Sequence, residues 1–253
     1  MKKRIISSLF ILLILIPIVI LGSIPFKIFI YLTALIAFKE YLSVKKLPKL
    51  VKFLSYILLF ILFIFETKLS LDYKMLSYFI LMFLIPIIYY HDNKLYNFND
   101  SIYVIIGIFI IYLTAVNIIE LRQNNLFILI YLLLITVVTD SYAYIVGYLI
   151  GRHKLIPKIS PNKTIEGLVG GLLGGTFVSV IFYVIFINNL NIYALIFQTT
   201  LLSLIGQMGD LVFSSLKREY NVMDFSNIIP GNGGILDRID SLIFVILCYT
   251  LFL

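Results

Sequence analysis

LFILIYLLLITVVTDSYAYIVGYL, Leu126–Leu149, holds one charged residue, Asp140, in an otherwise uncharged run. A bilayer's hydrocarbon core needs roughly 17 to 25 apolar residues of helix to cross it. Inside that core every backbone N–H and C=O must find its partner within the protein, so only helices and closed barrels span it. The run is rich in Leu and Ile and shows no strict alternation of polar and apolar residues, which makes it a helix and not a barrel strand. Similar runs cover 5–22, 25–44, 51–67 and 71–90, then 101–120, 167–187, 192–213 and 236–253. Together with 126–149 they predict an all-α, polytopic transmembrane bundle of about nine helices.

Composition agrees. Of the 253 residues 61% are hydrophobic and 13% charged, whereas soluble domains carry about a quarter charged residues. That much apolar surface needs lipid around it, and no polar stretch is long enough to fold as a separate soluble domain. Cys248 is the single cysteine, so an intrachain disulfide is excluded. His91 and His153 are far apart and give little support to a histidine or thiolate metal site. Any metal would be a hard cation held by oxygens.

The net charge of +7 does not indicate nucleic acid, because the basic residues flank membrane runs, where orientation and lipid headgroups explain them. With the N-terminus inside, only Lys27, Lys68, Lys74 and Arg122 of the 20 basic residues fall outside. The positive-inside rule then predicts a cytoplasmic N-terminus, an external C-terminus and residence in the cell (cytoplasmic) membrane. Met1–Arg4 and the apolar run behind it lack a small-residue cleavage site, so they are expected to be an uncleaved first helix. Residues 1–120 are expected to form scaffold helices. Residues 121–253 are expected to form a catalytic region whose long cytoplasmic loops are 151–166 and 214–235.

Ionisable residues inside a membrane are costly and usually functional. Asp140 and Asp210 interrupt apolar runs, while Asp237 and Asp240 open the last one with Arg238 between them. Residues three apart share a helix face, so Asp237 and Asp240 can point the same way. Such carboxylates suit Mg²⁺, which takes oxygen ligands and often bridges to phosphate. The plainer alternative is a structural ion pair of Asp237 with Arg238 or a neighbour. Adjacent helical residues do not face each other, which favours the cation.

The loop from Arg152 to Thr164 is basic and contains Pro157 and Pro161. Ser160, Lys163 and Thr164 stand ahead of an apolar run, where a helix N-terminus attracts phosphate. Glu166 is the candidate for a capping box with Lys163 or Thr164. Gly167, Gly171 and Gly175 repeat every four residues, a spacing that lets membrane helices approach closely. The densest chemistry runs from Gly209-Asp210 through Ser214, Lys217, Arg218 and Asp224 to Pro230-Gly-Asn-Gly-Gly-Ile-Leu-Asp237-Arg238-Ile-Asp240-Ser241. Glycines here permit a tight turn that brings backbone N–H groups to a ligand. Basic residues with acidic metal ligands, and no protein nucleophile, form the inventory of phosphoryl or nucleotidyl transfer.

This segment resembles the signature of the phosphatidate cytidylyltransferase (CDP-diglyceride synthase) family, S-x-x-K-R-x(4)-K-D followed by P-G-H-G-G-x-x-D-R-x-D-S. Ser214, Lys217, Arg218, Asp224, Pro230, Gly231, Gly233, Gly234, Asp237, Arg238, Asp240 and Ser241 match it. Lys158–Gly167 is similar to the family's K-x-S-P-x-K-T-x-E-G, and Thr139–Tyr144 to its T-D-[TS]-x-A-[YF]. The resemblance is strong over about 136–245. There are two departures: Met223 stands where the family has lysine, and Asn232 where it has histidine.

The resemblance implies attack of a phosphatidate oxygen on the α-phosphate of CTP, giving CDP-diacylglycerol and pyrophosphate. It implies Mg²⁺, alone or with a second cation, on Asp210 and Asp237 with Asp140 and Asp240 helping. Lys163, Lys217, Arg218 and Arg238 would hold phosphate charge, and Ser160 and Ser214 would donate hydrogen bonds. Thr164, Asp224, Asn232, Gly233 and Gly234 complete the expected substrate site. The expected partners are CTP, phosphatidic acid, the bilayer and a second copy in a homodimer, with no nucleic acid. Three alternatives stand beside this: a cytidylyltransferase or kinase for another lipid phosphate, a degenerate homologue, and a transporter built on intramembrane aspartates.

Overall fold

The computed structural model describes residues 13, 17–64, 82–88, 90, 95–229, 231 and 233–252. Most of the expected runs 5–22 and 71–90 lies outside these residues, as do Pro230 and Asn232. The described elements are α1 (Ser23–Val44), α2 (Lys49–Ile64), α3 (Phe98–Asn124), α4 (Leu126–Ile150), β1 (Lys154–Ile156), β2 (Ser160–Thr164), α5 (Ile165–Phe186), α6 (Ile192–Glu219) and α7 (Leu236–Tyr249). A short 3-10 turn, Thr250–Phe252, follows. Among the described residues, α3, α4, α5 and α6 are long and apolar enough to cross a membrane. The protein is a multi-pass helical membrane protein.

Local chemistry explains where the helices start. The Asn125 side chain accepts a hydrogen bond from Phe127 N at 2.9 Å, starting α4. Thr164 Oγ1 accepts from Gly167 N at 3.0 Å for α5, and Asn191 accepts from Tyr193 N at 3.0 Å for α6. Each cap satisfies one of the N–H groups that a first turn leaves open.

The described fold is all-α apart from the polar loop 151–166, where β1 and β2 form an antiparallel hairpin. Pro157 and Pro161 stay clear of the ladder's registered pairs, Lys154 with Thr164 and Ile156 with Ser160. The loop expected to open at 214 begins only after Glu219, because α6 continues through Ser214, Lys217 and Arg218. Its apolar run ends near 213, but helical spacing places Asp210, Ser214 and Lys217 on one face.

The chain divides into two compact units. One comprises residues 1–116 with 225–236, and the other 117–224 with 237–253. In the first, the Tyr41 and Tyr103 rings stack at 4.3 Å. Each hydroxyl donates to the other residue's carbonyl, at 3.0 and 2.6 Å, tying α1 to α3. Lys45 pairs with Asp100 at 2.5 Å beside them.

In the second unit Leu132, Ile135, Leu202, Val245 and Ile246 form a fully buried core between α4, α6 and α7. Hydroxyl pairs join α4 to α6: Tyr131 with Thr199 at 2.7 Å and Thr139 with Ser203 at 2.8 Å. The four-residue glycine repeat lies against α4. A Cβ at Gly171 would meet Thr139 O at 2.8 Å, and one at Gly175 would come within 2.0 Å of Thr139 Oγ1. Tyr148, Tyr193 and Leu173 turn outward, each at least 70% exposed, as residues facing lipid acyl chains do.

Candidate active site

The second unit gathers polar groups from four elements. From α6, Asp210 projects beside Lys163 of β2, whose Nζ lies 2.5 Å from Asp210 Oδ2. Ser214, one turn further along α6, donates to Asp210 Oδ1 at 3.2 Å. Another turn on, Lys217 donates to Asp237 Oδ1 of α7 at 2.8 Å, with both side chains at most 10% exposed. Asp140 of α4 lies within electrostatic reach of Asp210 and Lys163 and interacts with Ser241. Asp240 is buried, accepts from Ser241 N at 2.8 Å and feels Asp210, Asp140 and Lys217. Lys217, across from Asp237 on α6, is thus one of its ion-pair partners.

Four carboxylates against two ammonium groups leave the cluster formally two charges negative. Lys163 Nζ is buried against Asp210, which balances its charge and occupies one of its three donors. A buried ammonium with donors to spare is suited to an incoming anion. The carboxylates have the chemistry for a hard divalent cation. Among the described residues, however, no three acidic, His or Cys side chains converge on one point. Mg²⁺ is usually held by one or two carboxylates, with substrate phosphate and water completing the shell. The residues therefore fit an ion that enters with a polyphosphate better than one caged by protein alone.

Arg218 is exposed and turns to backbone, donating from Nε to Ile159 O at 3.2 Å and from Nη1 to Val222 O at 3.1 Å. Arg238 and Asp224 are exposed. Ser160 opens β2. Thr164 serves as the cap of α5. The capping box expected of Glu166 does not form: its carboxylate instead accepts from His153 N at 3.2 Å and pairs with His153 Nδ1 at 2.6 Å, closing the hairpin's base. Asn232 lies outside the described residues.

Gly233 and Gly234 belong to the first unit, in a turn where Gly231 and Gly233 have φ of 78° and 83°, a region that favours glycine. The backbone N–H groups after this turn meet Glu40 of α1. Ile235 N donates to Oε1 at 3.0 Å and Leu236 N to Oε2 at 2.7 Å. Sequence reasoning missed Glu40. The available signal was that it is the sole acidic residue in the first 64 positions of a basic, apolar stretch.

A multi-pass helical membrane protein with a recessed cluster of carboxylates and ammonium groups is the class these features define. Comparison with known proteins narrows it. The sequence profile of the cytidylyltransferase family matches residues 2–253. A phosphatidate cytidylyltransferase of Staphylococcus haemolyticus is 35% identical, covering 97% of this chain and 96% of that protein. Proteins of the same name from Staphylococcus epidermidis and Staphylococcus aureus are 34% and 33% identical, with the same coverage. The chain belongs to the cytidylyltransferase family.

Proposed function

We propose that this protein transfers the cytidylyl group of CTP to phosphatidic acid, forming CDP-diacylglycerol and pyrophosphate in phospholipid biosynthesis. The observation that carries this reading is the buried Lys163 ammonium, with donors to spare, beside the carboxylates of Asp140, Asp210, Asp237 and Asp240. Family membership and the printed names of the relatives support the choice of CTP and phosphatidate. The degenerate-homologue and transporter readings gain nothing from them.

In the proposed reaction a phosphatidate oxygen forms a bond to the α-phosphorus of CTP, and the α–β bridging P–O bond breaks to release pyrophosphate. No protein nucleophile is needed, so the chain's task is to position the two phosphates and balance their charge. Lys163 and Lys217 would exchange their carboxylate partners for phosphate oxygens, and Ser214 would turn its hydroxyl to the same anion. Arg218 and Arg238, near the surface, would neutralise further phosphate charge. Asp210 and Asp237, with Asp140 beside them, would hold Mg²⁺, alone or with a second cation, which supplies Lewis-acid polarisation of phosphate oxygens.

The topology proposed with it has about nine spans, a cytoplasmic N-terminus, both polar loops on the cytoplasmic side and an external C-terminus. The chain would act as a homodimer, with lipid entering from the inner leaflet.

The test is pyrophosphate release by purified protein in detergent with CTP, Mg²⁺ and phosphatidic acid, beside an Asp237→Ala control. Turnover that needs all three components and vanishes in the control is expected. Turnover without phosphatidic acid would refute the acceptor, and full activity of Asp237→Ala would refute the site.

A further inference from the structure

Glu40 is 2% exposed, and a buried carboxylate persists only where hydrogen bonds replace its water. Three do so here. Ser226 Oγ donates to Oε1 at 2.6 Å, and the amides of Ile235 and Leu236 donate as described, from 195 and 196 residues away in sequence. An ordinary N-cap comes from the residue just before the helix; here the first N–H groups of α7 are met by a side chain of α1.

The turn is shaped to admit this carboxylate. A Cβ at Gly234 would come within 2.6 Å of both Glu40 oxygens, so any side chain there would push the carboxylate out of this position. Ile229 N bonds Gly233 O at 2.9 Å across the turn's base, and Ile228 N bonds the same Ser226 hydroxyl at 3.3 Å. Glu40 is itself braced, since the next residue, Tyr41, is locked to Tyr103, and Lys45, one turn on, is paired with Asp100. One peptide bond beyond Leu236 stands Asp237.

We propose that Glu40 is a positioning residue for cytidylyl transfer: its carboxylate fixes the glycine turn 233–236 and with it the first turn of α7, which carries Asp237 and Asp240. The proposal rests on the reading given above for the reaction.

The test compares full-length wild type with Glu40→Gln, Ser226→Ala, Gly234→Ala and Phe63→Leu in detergent. Two readouts are taken, amide hydrogen exchange over residues 225–236 and steady-state pyrophosphate release. Gln keeps the volume of Glu40 but presents an NH₂ to one of the donors that its oxygens accept. In Glu40→Gln exchange at 235 and 236 is expected to accelerate about tenfold or more, as for loss of a bond to a charged acceptor. Its kcat should fall about tenfold with the KM for CTP changed less than about threefold, the pattern of an interaction that matters in the transition state. Ser226→Ala should do the same more weakly, and Gly234→Ala should reproduce Glu40→Gln. Phe63→Leu, which removes the stacking of Phe63 on Tyr31 in the same unit and touches none of the groups that brace Glu40, should lower the unfolding midpoint and leave kcat unchanged.

Wild-type exchange in Glu40→Gln would overturn the anchoring, and accelerated exchange with normal kcat would overturn positioning in favour of a purely structural role. If Glu40→Gln does not fold, Ser226→Ala decides: faster exchange with lower kcat supports the proposal, and no change in either overturns it. Wild type that releases no pyrophosphate would defeat the assigned reaction, while the exchange readout still reports on Glu40.

Discussion

Replacing Lys217 by methionine removes a cation 2.8 Å from the Asp237 carboxylate, where the two side chains are 10% and 5% exposed. At that separation the attraction is about 6 kcal/mol for an effective dielectric constant of about 20. Burying both charges costs much of this back, and removing one partner of a buried pair typically destabilises by about 3–5 kcal/mol. Asp237 and Lys217 each keep further interactions, so the low end, about 3 kcal/mol, is expected. For a chain of this size that lowers the unfolding midpoint by roughly 6–12 °C, read by thermal scan in detergent. The double variant Lys217→Met with Asp237→Leu replaces the pair by apolar groups of similar volume, and such exchanges are close to neutral in stability. It should regain most of the lost midpoint and still release no pyrophosphate. A single variant as stable as wild type would show that the pair contributes little. A double variant no more stable than the single would show that an unbalanced buried charge is not the cause.

Gly175→Ala places a methyl group where Thr139 Oγ1 stands 2.0 Å away; it should cost about 1–3 kcal/mol by overpacking and lower the midpoint, with Thr139→Ala in the same chain restoring much of it. Thr164→Val removes the side-chain acceptor for Gly167 N and should cost about 1 kcal/mol, while Thr164→Ser, which keeps the oxygen, should match wild type in the same scan. Met223 is 80% exposed, so Met223→Lys should change pyrophosphate release by no more than about twofold, as exposed substitutions usually do; a gain of an order of magnitude would show that this position contacts substrate.

Hydropathy marked where lipid begins and ends, which is a different question from where a helix begins and ends. The run 126–149 and helix α4 nearly coincide, because Asn125 and Gly151 cap the helix at the two ends of the apolar run. For α6 they part company. The apolar run stops near 213, but the helix continues for nearly two turns, since Ser214 and Lys217 repeat on the face that carries Asp210. The hairpin 154–164 was illegible because its strands are short, basic and broken by proline, with no alternation to betray them. Asp140, Asp210 and Asp237 stood out because a carboxylate among apolar residues is rare. Glu40 satisfies the same criterion, but its partners are backbone N–H groups almost 200 residues away, and backbone leaves no trace in composition. The motif loop could be read for its glycines, which admit an anion, without revealing that the chain supplies that anion itself.

Charge balance links this arrangement to the proposed chemistry. An isolated carboxylate among membrane helices is strongly unfavourable, yet a nucleotidyl-transfer site needs several. The chain meets the conflict by setting Lys163 against Asp210 and Lys217 against Asp237, leaving Asp140 and Asp240 close to a hydroxyl or backbone donor. The remaining formal charge of two negatives is what one divalent cation would cancel. In the proposed reaction Lys163 and Lys217 would turn to the phosphates of an incoming polyphosphate, and Asp210 and Asp237 would then be free to hold a divalent cation, which would keep the charge of the cluster balanced. Lys217→Met breaks this exchange on one side only. It should therefore impair turnover even where detergent and temperature are chosen to keep the variant folded, and the double variant, though stable, has neither half of the exchange left.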